Sequence, residues 1–426
     1  MFSSTRRRIV ASIGAAAALS LALASCASTP PAEDGPVTLT FQALPIDDAT
    51  TAVFESVVDS WNADNPDVQV ELRFGDWDSV NDQLVTQFVG GTAPDIIHNE
   101  TASMVSFAGQ GYLADLDFSE EVSAALSEGT LGTVTTADGL VFAAPFLLQS
   151  YVAFANVDAF EAAGVPLPDG DDLAWSDFQE VAQQLTGDGK YGVCWGLKQP
   201  TAPIVTMAPQ FGGEFFSSAD ADAEITIGDG ELAIPELIHE MAYTDQSIDP
   251  VSLTLNVVEP VTSFVNGECA IFVSGNFMGA GIGSSAPEGF DWTILPPFSG
   301  TEGTAQVGNP QTLSVSASSE HIEQATAFID YWMGASNLAE LAQTTWLLPP
   351  TQEALDQVAA NTEGQPGWAG ALRSGENFVG APLLFVDGYQ QWKDQIAQPA
   401  FQQYLANAIS LDELEKQLVD GWASVR

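Results

Sequence analysis

Residues 91–100 have the sequence GTAPDIIHNE, which places one short buried strand between two helices. Asp95–Ile97 forms the strand, because a short apolar run that follows turn residues is typical of a buried strand. Gly90-Gly91 ends a helix predicted over Ser79–Val89, and a second helix is predicted from about Thr101 to Gly109. The segment therefore predicts a helix–strand–helix unit.

The preceding residues extend the same alternation toward the N-terminus. Val37–Phe41 and Val68–Phe74 have the alternating pattern of strands. Between them, Asp47 or Asp48 can cap a helix whose apolar residues recur at helical spacing, and Asn65-Pro66 ends it. The order strand, helix, strand, helix, strand favours a mainly parallel sheet covered by helices, and ligands bind such sheets beyond the carboxyl ends of the strands.

The rest of the chain predicts a second region of the same α/β type. Leu147–Phe154 is a long apolar run that continues to Asn156, and we expect one strand that passes from a first lobe into a second. Ile225–Ile227 with Gly228-Asp229-Gly230 predicts a surface hairpin and turn. Further elements follow: strands at Tyr191–Trp195, Ala270–Val273 and Phe290–Leu295, and helices at Ser176–Leu185, about Pro235–Tyr243, Val261–Val265 and His321–Met333.

The N-terminus has the layout of a secretory signal peptide. Arg6–Arg8 precedes an apolar, alanine-rich segment at Ile9–Ala22, which is shorter than the ~20 residues needed to span a membrane. Leu23-Ala24-Ser25-Cys26 resembles a bacterial lipobox, at which the cysteine receives a diacylglycerol and the chain is cut before it. We therefore expect residues 1–25 to be removed, Cys26 to anchor the protein outside the cell membrane, and residues 26–36 to be a flexible tether.

Length and composition narrow the class of protein. Removal of the signal peptide leaves 426 − 25 = 401 residues, enough for two domains with separate cores. A hydrophobic content of 46% is typical of a folded chain. The formal net charge of −47 argues against nucleic acid as a partner, because binding a phosphate backbone requires basic clusters. The excess of acidic residues instead predicts a well-solvated surface.

Cys194 and Cys269 are the two cysteines that follow Cys26. An exported pair can form a disulfide. Cys194 lies near the end of its predicted strand and Cys269 at the start of another. If these strands run parallel and start level, the offset is about 10 Å at about 3.3 Å per residue, which exceeds the reach of a disulfide. We therefore expect two buried free thiols.

Four motifs occur in order along the chain: Gly91–Ile97 with Gly109–Leu116, Tyr151–Asn156 with Phe160 and Gly164, Phe264–Ile271 with Gly275–Phe277, and Ala325–Met333 followed by Leu348-Pro349-Pro350. In these motifs the chain resembles a known family, the family 1 extracellular solute-binding proteins of ABC importers, which include maltose-binding protein. The resemblance covers the chain from about Val37 to its C-terminus. Two positions depart from the family pattern: Phe277 stands where the family usually has Trp, and Ala155 stands where it usually has Tyr.

The resemblance implies a monomeric α/β protein of two periplasmic-binding-protein-like lobes, each a mainly parallel sheet flanked by helices. Lobe 1 is expected at 37–148 and 296–345, and lobe 2 at 149–295 and 346–426. A ligand between the lobes would select a closed state by hinge bending, and the transmembrane permease subunits of the importer would recognise that state. Clefts between domains are also the usual place for small-molecule sites.

Candidate ligand-binding residues lie at strand ends and crossovers. Carbohydrates present flat C–H faces and many hydroxyl groups, so they need aromatic platforms and neutral or acidic hydrogen-bonding partners. Several side chains also have an ordinary structural explanation as core, cap or turn residues. The predicted set is Gln42, Trp77, Asn99, Glu100, Gln149, Tyr151, Trp195, Glu214, Asn276, Phe277, Asn309 and Trp346.

Other classes of function remain open from the sequence. Scattered Lys and Arg residues argue against an anionic ligand, so a neutral mono- or oligosaccharide is expected, with a polyamine or other cation as the alternative. A secreted carbohydrate-active enzyme and an adhesive lipoprotein are competing classes. We expect no catalytic residue, no cofactor and no metal: a calcium-like spacing at Asp220, Asp222, Glu224 and Glu231 has Ile225 where glycine is required.

Overall fold

The structure, a computed structural model, describes residues 35–77, 79–218 and 223–425. The predicted signal peptide, Cys26, Asp220 and Asp222 lie outside the described residues. The described part contains these strands: β1 Val37–Ala43, β2 Val68–Phe74, β3 Ile96–Glu100, β4 Ala144–Leu147, β5 Tyr151–Asn156, β6 Leu173–Ala174, β7 Tyr191–Trp195, β8 Cys269–Gly275, β9 Trp292–Ile294, β10 Phe298–Ser299, β11 Gln306–Val307, β12 Gln311–Val315 and β13 Phe378–Val379.

The helices surround these strands along the whole described chain. They are α1 Asp48–Asp64, α2 Val80–Gly90, α3 Thr101–Gly109, α4 Glu120–Ala125, α5 Glu128–Gly132, α6 Val157–Ala163, α7 Trp175–Gln184, α8 Thr201–Met207, α9 Asp229–Tyr243, α10 Val261–Val265, α11 Met278–Ser285, α12 Ile322–Trp332, α13 Ala335–Thr345, α14 Gln352–Asn361, α15 Trp368–Ser374, α16 Tyr389–Trp392, α17 Gln398–Leu405 and α18 Leu411–Val425. Short 3₁₀ turns occur at Ala208–Phe211, Pro250–Thr254 and Pro382–Phe385, and a π-helical turn at Lys393–Ala397.

The first sheet has five strands in the order β2-β1-β3-β12-β4. Strand β1 is parallel to β2 and β3, as the alternation of strands and helices predicted. Strand β12 returns from far along the sequence and runs antiparallel to β3 and β4. The carboxyl ends of β1, β2 and β3 therefore share one edge of this sheet.

Local contacts explain why the N-terminal residues adopt this arrangement. Asp47 caps α1, because its Oδ1 accepts a hydrogen bond from Thr50 N at 2.8 Å. Asp95, from the motif that precedes β3, accepts from Thr40 N at 2.8 Å and from Ser319 Oγ at 2.6 Å. Its carboxylate thereby joins β1 to the residues after β12, and this aspartate has a structural role.

The second sheet has four strands in the order β7-β8-β5-β9. Strands β7 and β8 are parallel, whereas β5 runs antiparallel to β8 and β9. Both faces are covered, since every residue of β5 and β8 is buried. Each sheet thus lies inside its own layers of helices, in agreement with the predicted α/β class.

Three connecting segments join the two sheets. The first, residues 148–150, leads from β4 to β5, and the second, residues 295–310, leads from β9 to β12. The third, residues 346–351, leads from α13, which packs on α1, to α14 and α15, the latter packed on β9. The first and third lie side by side, since Leu148 N donates to Leu348 O at 2.7 Å and Leu348 N donates to Leu148 O at 2.9 Å.

The prediction of a single strand from Leu147 to Asn156 is wrong. The structure divides it into β4 in the first sheet and β5 in the second. The interruption arises because the backbone between them bonds to other connecting elements. Leu148 pairs with Leu348, and Ser150 N donates to Asn276 Oδ1 at 3.1 Å.

The predicted turn at Gly228-Asp229-Gly230 is also wrong, because α9 begins at Asp229 with Gly228 as its N-cap. The cause is a buried carboxylate. Glu231 accepts from Gly228 N at 2.9 Å through Oε2 and from Glu214 N at 2.8 Å through Oε1. These bonds satisfy backbone groups at the start of the helix, which sequence spacing alone assigned to a turn.

The prediction of two free thiols is wrong, since a disulfide joins Cys194 and Cys269, whose Cα atoms are 5.8 Å apart. The estimate assumed a regular strand from Cys269 onward. Cys269 and Phe272 pack in the same core cluster as Cys194, whereas Ala270 and Ile271 both pack in the other cluster. The strands do start level, with Tyr191 opposite Cys269 and Cys194 opposite Phe272, but the Cα atoms of the two cysteines lie closer together than a regular spacing along the strand would place them.

Among residues 35–77, 79–218 and 223–425, no helix combines the length and the apolar character needed to cross a membrane.

Candidate functional site

A group of polar side chains meets where the connecting segments pass between the sheets. We call Glu100, Gln149, Tyr151, Asn309 and Lys393 the polar cluster. Glu100 ends β3 and caps α3, Gln149 lies in the first connecting segment, and Tyr151 begins β5. Asn309 precedes β12, and Lys393 comes from the C-terminal part of the chain.

Hydrogen bonds fix the carboxylate of the polar cluster. Asn309 Nδ2 donates to Glu100 Oε2 at 3.2 Å, while Asn309 Oδ1 accepts from Ala102 N at 3.2 Å. Burial raises the pKa of Glu100, and the bond from Asn309 and the positive charge of Lys393 oppose that rise. The carboxyl group is therefore held in a partly buried position, where each lost hydrogen bond is costly.

Tyr151 is close enough to this carboxylate for the negative charge of Glu100 to act on its phenol. Burial raises the pKa of Tyr151, the charge of Glu100 raises it further, and a hydrogen bond with Gln149 opposes the rise. The phenol is consequently a neutral donor and acceptor. Its backbone is held on both sides by the Gln306 amide, which accepts from Tyr151 N at 2.8 Å and donates to Tyr151 O at 3.0 Å.

Lys393 is a member of the polar cluster that the sequence did not identify. It was one of several scattered basic residues, and nothing in the spacing placed it opposite Glu100. Its ammonium lies 3.7 Å from Asp394, and its side chain is 28% exposed. Lys393 begins the π-helical turn at Lys393–Ala397, a type of turn that is frequent at functional sites.

Phe277 lines an apolar cavity of about 290 Å³ between the two sheets. Its walls from the first-sheet side are Ile46, Asp47, Thr50, Thr344 and Thr345, and those from the second-sheet side are Val258, Val261, Phe277, Met278, Ala280 and Gly281. Gly275 allows Phe277 and Gln149 to approach each other. A Cβ atom at position 275 would lie 2.4 Å from the phenyl ring and 3.1 Å from the amide carbon of Gln149. Phe277 therefore connects the cavity to the polar cluster.

Asn276 and Trp346 lie beside this cavity, at the connecting segments. Asn276 is fully buried, and its Nδ2 donates to Trp346 O at 2.7 Å. Trp346 is partly buried and stacks on Trp368 with ring centroids 4.2 Å apart. Both predicted residues are thus near Phe277, within a network that links the two sheets.

Three other predicted residues lie at the edge of the first sheet. Asn99 is buried, and its Nδ2 donates to Asn81 Oδ1 at 3.0 Å. Trp77 is partly buried, and its Nε1 donates to Leu44 O at 3.1 Å. Gln42 is buried near the end of β1. Asn99 precedes Glu100 in β3, whereas Gln42 lies in β1 and Trp77 bonds to the residue that follows β1.

Trp195 and Glu214 lie elsewhere. Trp195 has no exposed surface and stacks in parallel on Trp175, with centroids 6.5 Å apart. Glu214 is exposed, and its backbone bonds to Glu231 as described above. The structure therefore places the first in the core of the second sheet and the second on the surface.

His98 supports the site without facing it. Its Nδ1 accepts from Leu44 N at 3.1 Å, and its Nε2 lies 3.1 Å from Gln311 Oε1. Burial lowers its pKa to about 3, and the bond to Gln311 opposes this shift. The imidazole is therefore neutral at physiological pH and ties the residues after β1 to β12.

The described residues contain no group of three or more His, Cys, Asp or Glu side chains that could hold a metal ion. The polar cluster offers one carboxylate, one ammonium, two amides and one phenol. These groups can donate to and accept from hydroxyl groups.

Comparison with known proteins places this chain in a family. A family model described as bacterial extracellular solute-binding protein matches residues 47–339. An uncharacterized lipoprotein from the oleD 5' region of Streptomyces antibioticus is 38% identical over 405 residues, which cover 94% of this chain and 89% of that protein. A maltooligosaccharide ABC transporter solute-binding lipoprotein of Streptococcus pneumoniae serotype 4 is 25% identical over 212 residues, or 44% of this chain and 49% of that protein.

Solved structures show the same fold at low sequence identity. The sugar-binding protein MalE from Xanthomonas citri aligns with a TM-score of 0.76 and 18% identity, over 91% of this chain and 97% of that chain. The cyclic alpha-maltosyl-1,6-maltose binding protein from Arthrobacter globiformis aligns with a TM-score of 0.76 and 16% identity, over 92% and 99%. The predicted two-lobe α/β fold is thereby confirmed, and the chain belongs to the bacterial extracellular solute-binding proteins.

Proposed function

We propose that this protein is the substrate-binding subunit of an ABC importer and captures a neutral sugar or oligosaccharide between its lobes. The polar cluster carries the proposal. Glu100, Gln149, Tyr151 and Asn309 are the kinds of groups that bind hydroxyls, and Phe277 beside them offers an apolar surface for a sugar C–H face.

The charges of the polar cluster favour a neutral ligand. Glu100 would repel an anion and Lys393 a cation, so the two offset each other. A polyamine, the alternative ligand, would have to approach the ammonium of Lys393. The sugar-related names of the Streptococcus pneumoniae, Xanthomonas citri and Arthrobacter globiformis proteins support the same class of ligand.

The remaining parts of the proposal follow from the sequence. Lobe 1 comprises 37–148 and 296–345, and lobe 2 comprises 149–295 and 346–426. Ligand binding closes the lobes, and the closed monomer delivers the sugar to the permease without catalysing a reaction. Cys26 carries the lipid that holds the protein outside the cell membrane. The lipoprotein relative from Streptomyces antibioticus supports this anchor.

Calorimetric titration of the purified protein tests the ligand class. Mono- and oligosaccharides from glucose to maltotriose would be titrated in parallel with spermidine. We expect saturable heat with at least one sugar, recovery of that sugar intact after prolonged incubation, and no heat with spermidine. Binding of spermidine alone would assign the cationic alternative, and release of shorter sugars would assign an enzyme.

Replacement of Cys26 by serine tests the anchor, because the variant should leave the membrane fraction or remain unprocessed.

A further inference from the structure

Trp346 has a backbone conformation that needs an external cause. It is the C-cap of α13, and its φ is +61°, in the left-handed region. A residue with a side chain is less stable in that region than in the right-handed one. Such a conformation persists where surrounding contacts determine it, and these sites are often functional.

Residues of the second sheet and its helices supply those contacts. The indole of Trp346 stacks on Trp368 of α15 at 4.2 Å with an interplanar angle of 21°, and the ring of Trp292 in β9 lies 5.4 Å away. A Cβ atom at Gly279 of α11 would lie 2.2 Å from the indole, so only glycine fits there. The ring of Trp368 stacks on one face of the Trp346 indole and leaves no room there for the backbone of Gly279. Gly279 therefore contacts the other face, and both faces of the indole are covered.

The backbone of Trp346 is joined to the first connecting segment through one side chain. Asn276 Nδ2 donates to Trp346 O at 2.7 Å, and Asn276 Oδ1 accepts from Ser150 N at 3.1 Å. Asn276 N also donates to Ser150 O at 2.9 Å. One buried asparagine therefore holds two connecting segments against the end of β8.

We propose that Trp346, held by Gly279, Trp368 and Asn276, is the pivot about which the lobes rotate, and that it is a positioning residue with no sugar contact. We call Trp346 the pivot, and the three residues that hold it, Gly279, Trp368 and Asn276, its socket. The inference rests on the proposed function insofar as lobe rotation serves ligand capture. It reassigns Trp346, whose position in the sequence had suggested a stacking platform.

The pivot is adjacent on both sides to the apolar cavity that Phe277 lines. Thr344 and Thr345 precede Trp346, Phe277 follows Asn276, and all three line the cavity of about 290 Å³. A rotation at Trp346 therefore moves one wall of the cavity relative to the other. The pivot would set the width of the cavity and the distance across the polar cluster.

A pair of glycines in α11 gives a matched test. Gly279→Ala would displace the indole, whereas Gly283→Ala lies in the same helix with no atom within 4 Å of the added methyl. Spin labels on the exposed positions Ala63 and Gln183, each replaced by cysteine in the full-length chain, would report the distance between the lobes without ligand. Maltotriose titrations would report affinity.

We expect Gly279→Ala to shift or broaden the ligand-free distance distribution and to weaken maltotriose binding by at least about fivefold, the scale of coupling between a conformational change and a ligand. Gly283→Ala should match the parent in both measurements. Trp346→Phe, which keeps a ring in the socket, should show a smaller shift and serves in place of Gly279→Ala if that variant does not fold.

An unchanged distance distribution in a folded Gly279→Ala variant would overturn the pivot. Loss of maltotriose affinity in Trp346→Phe with an unchanged ligand-free distribution would overturn it as well, in favour of a stacking platform. If the parent protein binds no sugar, the proposed function fails, but the ligand-free distances still decide whether the pivot exists.

Discussion

Glu100 and Trp195 each occupy the last position of a strand, Glu100 in β3 and Trp195 in β7, but their environments differ. Glu100 is immediately followed by α3 and reaches Asn309 of a connecting segment. Trp195 is covered by the chain that follows, since Leu197 N donates to Ser252 O at 2.9 Å and Gly196 lies directly against Asn256 O. The segment that follows β7 thus packs over its strand end, whereas Glu100 at the end of β3 reaches a connecting segment between the sheets.

The largest effect that would test this comparison is expected from Trp195→Ala. The indole has no exposed surface, and its removal leaves a cavity in the core of the second sheet. We expect a loss of about 3–5 kcal/mol in the free energy of unfolding, measured with denaturant. Sugar affinity of the folded fraction should be retained. Near-normal stability together with lost affinity would show that Trp195 contacts the ligand and that the comparison is wrong.

Glu100→Gln should weaken sugar binding without a loss of stability, which is the opposite of the result expected for Trp195→Ala. The amide keeps the shape of the side chain and removes the charge, so we expect weaker sugar binding by about 1.5–3 kcal/mol, the value of a hydrogen bond to a charged group. Stability should be unchanged or higher, because burial raises the pKa of Glu100 and thus disfavours its charged form. The matched control is Glu214→Gln on the surface. Equal calorimetric affinities for both variants would remove Glu100 from the site.

The buried imidazole of His98 should make the stability of the first sheet depend on pH. Its pKa is about 3 in the folded protein against 6.5 for the unperturbed group, so the unfolded chain binds the proton first as the pH falls. The stability that neutral His98 contributes is present above pH 6.5 and is lost progressively toward pH 3, at up to about 1.4 kcal/mol per pH unit. Unfolding of His98→Gln should depend less on pH over this interval. Parallel pH profiles for the two proteins would contradict a neutral buried imidazole.

The smallest effect is expected from salt on ligand affinity. If Glu100 and Lys393 offset each other and the ligand is neutral, affinity should change by less than about twofold between low and moderate ionic strength, despite the net charge of −47. The same salt should raise the midpoint of thermal unfolding, because it screens repulsion among 57 acidic residues. A steep loss of affinity in salt titrations would indicate a cationic ligand.

The sequence by itself determined the fold class and most of the elements near the first sheet. Apolar periodicity and caps such as Asp47 are local properties, so the predicted helix at Thr101–Gly109 and the strands at Val68–Phe74 and Tyr191–Trp195 coincide with the structure. Motifs in fixed order identified the family. Glu100 was named from its position after a predicted strand, and Asn309, with which it shares a hydrogen bond in the structure, was named as a polar candidate.

Tertiary structure alone decided which strand ends meet. Lys393 is 293 residues from Glu100 in the sequence, and no local pattern brings them together. The break after Leu147 and the disulfide of Cys194 likewise depend on partners from other segments, Leu348 and Cys269. Trp346 has the same sequence features as a stacking platform, but Trp368 and Gly279 cover its ring. Long-range packing determines such contacts, because residue type and spacing specify what a side chain can do but not which distant side chains surround it.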